Sequence, residues 1–210
     1  MINENNKVHI IGTILEDITY SHETLKERFY QAFVEAERTS GRIDIVPILV
    51  SERICDISGL VGKHVEINGD FRSFNKMIST EKSKLQLNVF VKEIAHIDDD
   101  FFIAQENEIF LDGYICKEPI YRKTPLGREI ADLLVAVNRS YGKADYIPCI
   151  CWGRNACYAS NFEIGTHVCV EGRIQSREYI KKLSEEESET RIAYEVSANR
   201  IESTEENAND

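Results

Sequence analysis

Three segments of this chain occur twice, in the same order. NKVHIIGTI (6–14) returns as NEIFLDGYI (107–115), DIVPILVS (44–51) as DYIPCICW (145–152), and GKHVEINGDFRS (62–73) as GTHVCVEGRIQS (165–176). The separation is 101 residues for the first two and 103 for the third. A repeat of this length is a domain's worth of chain. The sequence therefore divides into two copies of one fold, 1–103 and 104–203, followed by a short acidic tail, 204–210. Whatever one copy folds into must be buildable a second time from a different set of side chains.

Within each copy the pattern is that of strands. In the second, EIFLDGYIC, EIADLLVAVNR, DYIPCICWGR, HVCVEGRIQSREY and RIAYEVSANRI are rich in Val, Ile, Tyr and Phe and are bounded by Gly, Pro and charged turns. NACYASNF, between the third and fourth of these, is long enough for two helical turns. Five strands with a helix after the third is the order of an OB barrel. The expectation is an all-β chain of two tandem five-stranded OB-fold barrels, each with a short helix between strands 3 and 4. Gly12 and Gly69, with Gly113 and Gly172, fall mid-strand where a coiled barrel bends. SREYIKKLSEEESETRIAYEV reads as a long hairpin with an acidic tip, and TLKERFYQAFVEAER fits a strand or an amphipathic helix equally well.

The net charge of −11 argues against a nucleic-acid partner only if it is spread evenly. It is not: the acidity sits in the first copy and at the C-terminal end, and the block 104–182 has slightly more basic than acidic side chains. Without a run of about 18 apolar residues, and with MINENNK at the start, neither a membrane span nor a secretory leader is expected, which points to the cytoplasm. In that compartment the six cysteines default to small buried apolar residues, and Cys149, Cys151 and Cys157 lack the spacing of a zinc site. GLVGKH (59–64) fails as a phosphate loop, and no nucleophile elbow or paired metal-binding histidine motif occurs. His64 and His167 occupy equivalent positions on strands, which makes them structural. No catalytic residue, metal or cofactor is expected.

The second copy resembles the bacterial single-stranded DNA-binding protein family. The resemblance rests on NEIFLDGYICKEPIYRKTPLGREIADLLVAVNRSYGKADYIPCICWGRNA and GTHVCVEGRIQSREY, and within them on the P-x-x-R-x-T-P-x-G stretch, A-V-N-R, the Trp-Gly pair and E-G-R-I-Q-S-R-x-Y. It implies an OB fold that wraps single-stranded DNA by aromatic stacking, and a homo-oligomer in which four OB domains cooperate, here a dimer. It also places the stacking aromatics at Tyr141, Tyr146, Trp152 and Tyr179. Strand parity agrees: Tyr146, Pro148, Ile150 and Trp152 share one face, and Glu171, Arg173, Gln175, Arg177 and Tyr179 share the outward face of the next long strand. Candidate phosphate contacts are Arg122, Lys123, Arg128, Arg139, Lys143, Arg154, Arg173 and Arg177. Stacking accepts any base and cations neutralise any phosphate, so such a face binds without reading sequence. The plainer alternative is that the tyrosines are cross-strand packing residues.

The first copy departs from this pattern. Tyr141 becomes Ser40, Tyr146 becomes Ile45, Trp152 becomes Ser51 and Tyr179 becomes Lys76; Arg173 becomes Asp70 and Arg177 becomes Phe74. A copy that keeps its core and loses its contact face is expected to serve structure or oligomerisation. Its own Tyr20, Phe29, Tyr30, Phe33 and Phe74 leave a different mode of DNA binding open. The ending IESTEENAND lacks the apolar tip that the resemblance would imply for partner recruitment. The competing function is an accessory subunit of a replication or recombination complex with weak or no DNA binding, and an RNA-binding OB protein would use the same platform.

Overall fold

The structure, a computed structural model, describes residues 5–79, 82–182 and 188–204. The hairpin tip at 183–187, the tail at 205–210 and the Lys76 side chain lie outside the described residues. In the first copy, β1 (Asn6–Ile14), β3 (Glu27–Glu37), β4 (Ile43–Ser51), β5 (His64–Ser79) and β6 (Lys82–Ile97) form a closed barrel in the spatial order β1-β3-β4-β6-β5, and a short β2 (Thr19–Thr24) hangs on β3. The second copy repeats this with β7 (Glu106–Ile115), β9 (Glu129–Arg139), β10 (Lys143–Trp152), β11 (His167–Lys182) and β12 (Ser188–Ser203), and with β8 (Ile120–Lys123) on β9. Each barrel closes through one parallel pair, β4 with β6 and β10 with β12, and its other pairs are antiparallel. The short extra strand in each copy is too polar and exposed to have been read as part of a barrel.

The ambiguous segment resolves as β3 because Ala32, Val34 and Ala36 alternate into the core, a period of two that no helix would bury. Buried Val65, Ile67 and Phe71 fill the first barrel, and Val168, Val170 and Ile174 fill the second. The change of offset from 101 to 103 residues falls between the third and fourth barrel strands. There the first copy makes a 3-10 turn, Ile57–Leu60, and the second a longer excursion with α1 (Arg154–Ala159). The barrel glycines permit close strand crossing: a Cβ on Gly172 would stand 2.2 Å from the Ser197 carbonyl oxygen, and one on Gly69 would stand 2.4 Å from that of Phe90. Both sit at bulges, where the strand turns from one side of the barrel to the other.

The copies are joined edge to edge. β1 pairs antiparallel with β7, and Val8 lies opposite Ile109, its own repeat equivalent. A local two-fold axis therefore passes between these two buried residues, and one continuous twelve-stranded sheet runs through both barrels. Equivalent asparagines flank the axis: Asn6 hydrogen-bonds the backbone N–H and C=O of Phe71, and Asn107 those of Ile174. Two reciprocal latches complete the junction. The Ser176 N–H donates to buried Asp44 while the Ile45 N–H donates to the Ser176 hydroxyl; the Ser73 N–H donates to buried Asp145 while the Tyr146 N–H donates to the Ser73 hydroxyl. The four bonds span 2.7–3.1 Å.

Candidate nucleic-acid interface

The register of β9, β10, β12 and β11 lays out the outer face of the second barrel as a grid. Trp152 stands opposite Ile130; the next outward row runs Asp132, Ile150, Ser197, Arg173. Then come Leu134, Pro148, Glu195 and Gln175, and after them Ala136, Tyr146, Ala193 and Arg177. Tyr179, opposite Arg191, follows one row further along β11. The structure thus gathers Trp152, Tyr146 and Tyr179 on one face. The first two lie six residues apart on one strand, about 20 Å at the strand rise, a spacing that serves separate bases.

Each aromatic is held differently. Trp152 is 38% exposed, and its indole N–H donates to the Ser197 hydroxyl at 3.3 Å, which fixes the ring over Ile130. Gly153 follows at φ 56°, ψ −124°, a conformation closed to most side chains, so the Trp-Gly pair lets the chain turn away while the ring stays. Tyr146 is 46% exposed and its backbone is pinned by Ser73 of the other copy. Tyr141 is 99% exposed at the tip of the β9–β10 hairpin with φ +63°, unfavourable for a bulky residue. Tyr179 has the Arg177 guanidinium 6.0 Å from its ring centre.

The cations divide into four groups. Arg122 and Arg177 flank the platform, but Asp132 holds Arg122 at 2.8 Å and Glu195 holds Arg177 at 3.3 Å. Arg139 and Arg173 turn to the junction of the copies, Arg139 to Asp145 at 3.4 Å and Arg173 to Asp44 at 3.8 Å. Burial, with Arg38 nearby, lowers the pKa of Arg173 from its usual value. Arg128, Lys143 and Arg154 are exposed and have no carboxylate partner among the described residues. Lys123 sits 3.8 Å from Glu129 on the opposite face of β8, in a cluster with Tyr121 and Cys157. Cys157 is the exposed exception among the cysteines, and its hydrogen bond to Glu129 raises the thiol pKa. Burial pushes Cys151 up to about 12 and Cys149 well above its usual value, so both behave as apolar fillers. The two histidines are tied into barrel ends: His64 meets Thr13 and stacks on Phe102, while His167 meets Asp112 and Thr204 and stacks on Tyr114. No group that would hold a metal ion occurs among the described residues, and no helix there is long and apolar enough to cross a membrane.

Sequence reasoning missed Asp132, Glu195 and Ser197 within the face, and Asp44, Ser73, Asp145 and Ser176 at the junction. The junction residues did carry a signal: they recur at the repeat offsets while their neighbours change. The same grid in the first barrel reads Phe29 and Ser51; then Gln31, Leu49, Phe90 and Asp70; then Phe33, Pro47, Asn88 and Arg72. Phe29 is 8% exposed, stacked against His22 at 4.9 Å, and Arg72 lies 4.3 Å over Phe90. Lys92 and Arg72 both pair with Asp70, and Arg28 pairs with Glu52.

Residues 106–203 match the model of the single-strand binding protein family. Single-stranded DNA-binding protein 2 of Listeria innocua is 39% identical over 80 residues, covering 35% of this chain and 50% of the relative. Single-stranded DNA-binding protein A of Bacillus subtilis is 38% identical over 80 residues, covering 35% of this chain and 46% of the relative. The chain thus spans about half the length of these curated relatives. The whole tandem arrangement is similar to the crystal structure of the single-stranded DNA binding protein from Thermus aquaticus, with a TM-score of 0.74 over 94% of this chain and 92% of that one at 20% identity. That likeness establishes a tandem OB fold.

Proposed function

Since residues 106–203 match the model of the single-strand binding protein family, we propose that the chain binds single-stranded DNA without sequence specificity and without catalysis, through the outer face of the second barrel. The observation that carries this is the aromatic row: exposed Trp152 clamped by Ser197, exposed Tyr146 two rows of β10 beyond Ile150, exposed Tyr141 at the hairpin tip, and half-buried Tyr179 at the far end of the same face. Bases stack on such rings at about 1–3 kcal/mol each whatever their identity. Arg122, Arg128, Lys143, Arg154 and Arg177 around the face supply backbone neutralisation, while Arg139 and Arg173 hold the junction. Lys123 stands away from the platform.

The first barrel is the structural half of an internal pseudo-dimer. Two chains in a homo-oligomer bring four barrels together, so that one strand of DNA passes over two active faces. In the cell such binding protects exposed single strands during replication, recombination or repair.

Trp152 is the single tryptophan of the chain, so its fluorescence reports on the site directly. Titration with oligo(dT) gives saturable quenching, and affinity falls as salt rises because cations displace counterions from phosphates. Absence of both quenching and any anisotropy change of labelled DNA would refute the assignment.

A further inference from the structure

A surface that receives phosphates has two carboxylates near its centre. Asp132 and Glu195 stand on the outward face of β9 and β12, one row apart and flanking the β10 residues Pro148 and Ile150. Glu195 is buried among its neighbours: it accepts from the Gln175 amide at 2.8 Å and from Arg177 at 3.3 Å. Asp132 takes both nitrogens of Arg122, at 2.8 and 3.3 Å, and Arg122 also lies within electrostatic reach of Glu195. The two arginines best placed beside the aromatic row are therefore neutralised before any DNA arrives.

The first copy shows what the same cell looks like without this arrangement. Its residues there are Gln31 and Asn88, joined amide to amide at 2.8 Å, with no charge to balance. A neutral pair is thus sufficient for the fold at this place in the barrel. Two carboxylates, both acceptors, satisfy each other in no geometry; they need cations, and the cations they use are those of the platform.

We infer that Asp132 and Glu195 are built-in competitors for the backbone phosphates of single-stranded DNA, holding Arg122 and Arg177 in the free protein and releasing them to phosphate when the strand is seated. This rests on the proposed DNA-binding role of the face. Binding is an exchange of anions around two arginines, and its strength is set below what the same cations would give alone. The device favours a strand that can be taken up and given back.

The experiment is a salt series of oligo(dT) titrations, followed by Trp152 quenching and by anisotropy of labelled DNA, on the full chain and on Asp132→Asn, Glu195→Gln and the double variant. Each substitution leaves shape and hydrogen bonding nearly unchanged and frees one arginine. Affinity rises about two- to fivefold per substitution, the range of an ion pair at a protein surface. The dependence of log affinity on log salt stays close to that of the wild type, because each arginine meets the same phosphate in both complexes. In an Arg177→Gln background the gain from Glu195→Gln disappears, which a merely structural carboxylate would not produce. Thermal melts establish that the variants are folded, and half-exposed Asp132 gives a second reading if the buried Glu195 variant is perturbed. A wild type that fails to bind overturns the DNA-binding reading itself. A wild type that binds, with folded variants no tighter, overturns the competitor role alone.

Discussion

The two barrels share one strand order, yet the first sinks the aromatic at the end of its outer grid and the second exposes it. In the first copy the aromatic at that end of the grid is Phe29 on β3, sunk beside Phe90 and stacked on His22, and opposite it β4 carries Ser51. In the second the large aromatic moves across the ladder to β10 as Trp152, and a buried Ile130 takes the place of the phenylalanine. Moving the ring by one strand converts an aromatic that packs into one that projects. The cations follow suit: those of the first face are paired with Asp70 or Glu52, whereas Arg128, Lys143 and Arg154 of the second have no such partner among the described residues. The backbone latches of the junction, by contrast, recur on both sides of its two-fold axis. The two faces thus differ in their contact residues while the residues that join the copies recur at the repeat offsets.

The junction is where the comparison breaks most sharply. Asp44 is completely buried and receives two hydrogen bonds from Arg38 at 2.6 Å each as well as the Ser176 N–H. Its counterpart Asp145 receives the Ser73 N–H and a weaker contact from Arg139 at 3.4 Å, and one of its oxygens has no partner among the described residues. Asp44→Ala strands Arg38 and a backbone donor inside the junction and costs about 3–5 kcal/mol of stability. Asp145→Ala removes a less complete set and costs about 1–3 kcal/mol. Urea unfolding of both variants measures the difference; equal losses would mean that the two latches are energetically as well as geometrically equivalent.

The faces are separated by a reciprocal pair of substitutions. Phe29→Ala opens a cavity under His22 and lowers stability by about 3 kcal/mol, with oligo(dT) affinity unchanged. Trp152→Ala weakens binding by about 1–3 kcal/mol and destabilises far less, because its ring is already partly in water. Urea midpoints and anisotropy titrations on the same two variants decide the matter. Loss of DNA affinity on Phe29→Ala would give the first face a part in binding.

Much of this was legible in the sequence, for reasons that locate what was not. The barrels announce themselves by period: Val65, Ile67 and Val168, Val170 alternate into their cores, and the glycines recur at the bends. The aromatic row was legible because Tyr146, Pro148, Ile150 and Trp152 alternate on one short strand. Which cations stand free was not, since the pairing of Arg122 with Asp132 is set by strand register and that of Arg173 with Asp44 crosses from one copy to the other. The same holds for Glu195, which reads as one more acidic residue near an acidic hairpin until β12 is laid beside β10. The extra strands β2 and β8 have no apolar period to betray them; they exist because β3 and β9 extend past the barrel and offer an edge.

The smallest expected effect sharpens the asymmetry of the latches through pH. Burial raises the pKa of Asp145 above the usual carboxylate value, against the opposing pull of the Ser73 N–H, Arg139 and Arg72. The folded state therefore keeps its proton to higher pH than the unfolded chain does. Between the usual carboxylate range and the raised value the native state binds more protons, so this group's contribution to stability falls as pH rises through that window and is level above it. Asp145→Asn, which keeps an acceptor for Ser73 without a charge to desolvate, removes that part of the pH dependence. The check is a series of urea midpoints from acid to neutral pH on the two proteins: the wild-type curve declines relative to the variant across the window, and parallel curves would mean that the orphan carboxylate oxygen is satisfied by water well enough to behave as if it were exposed.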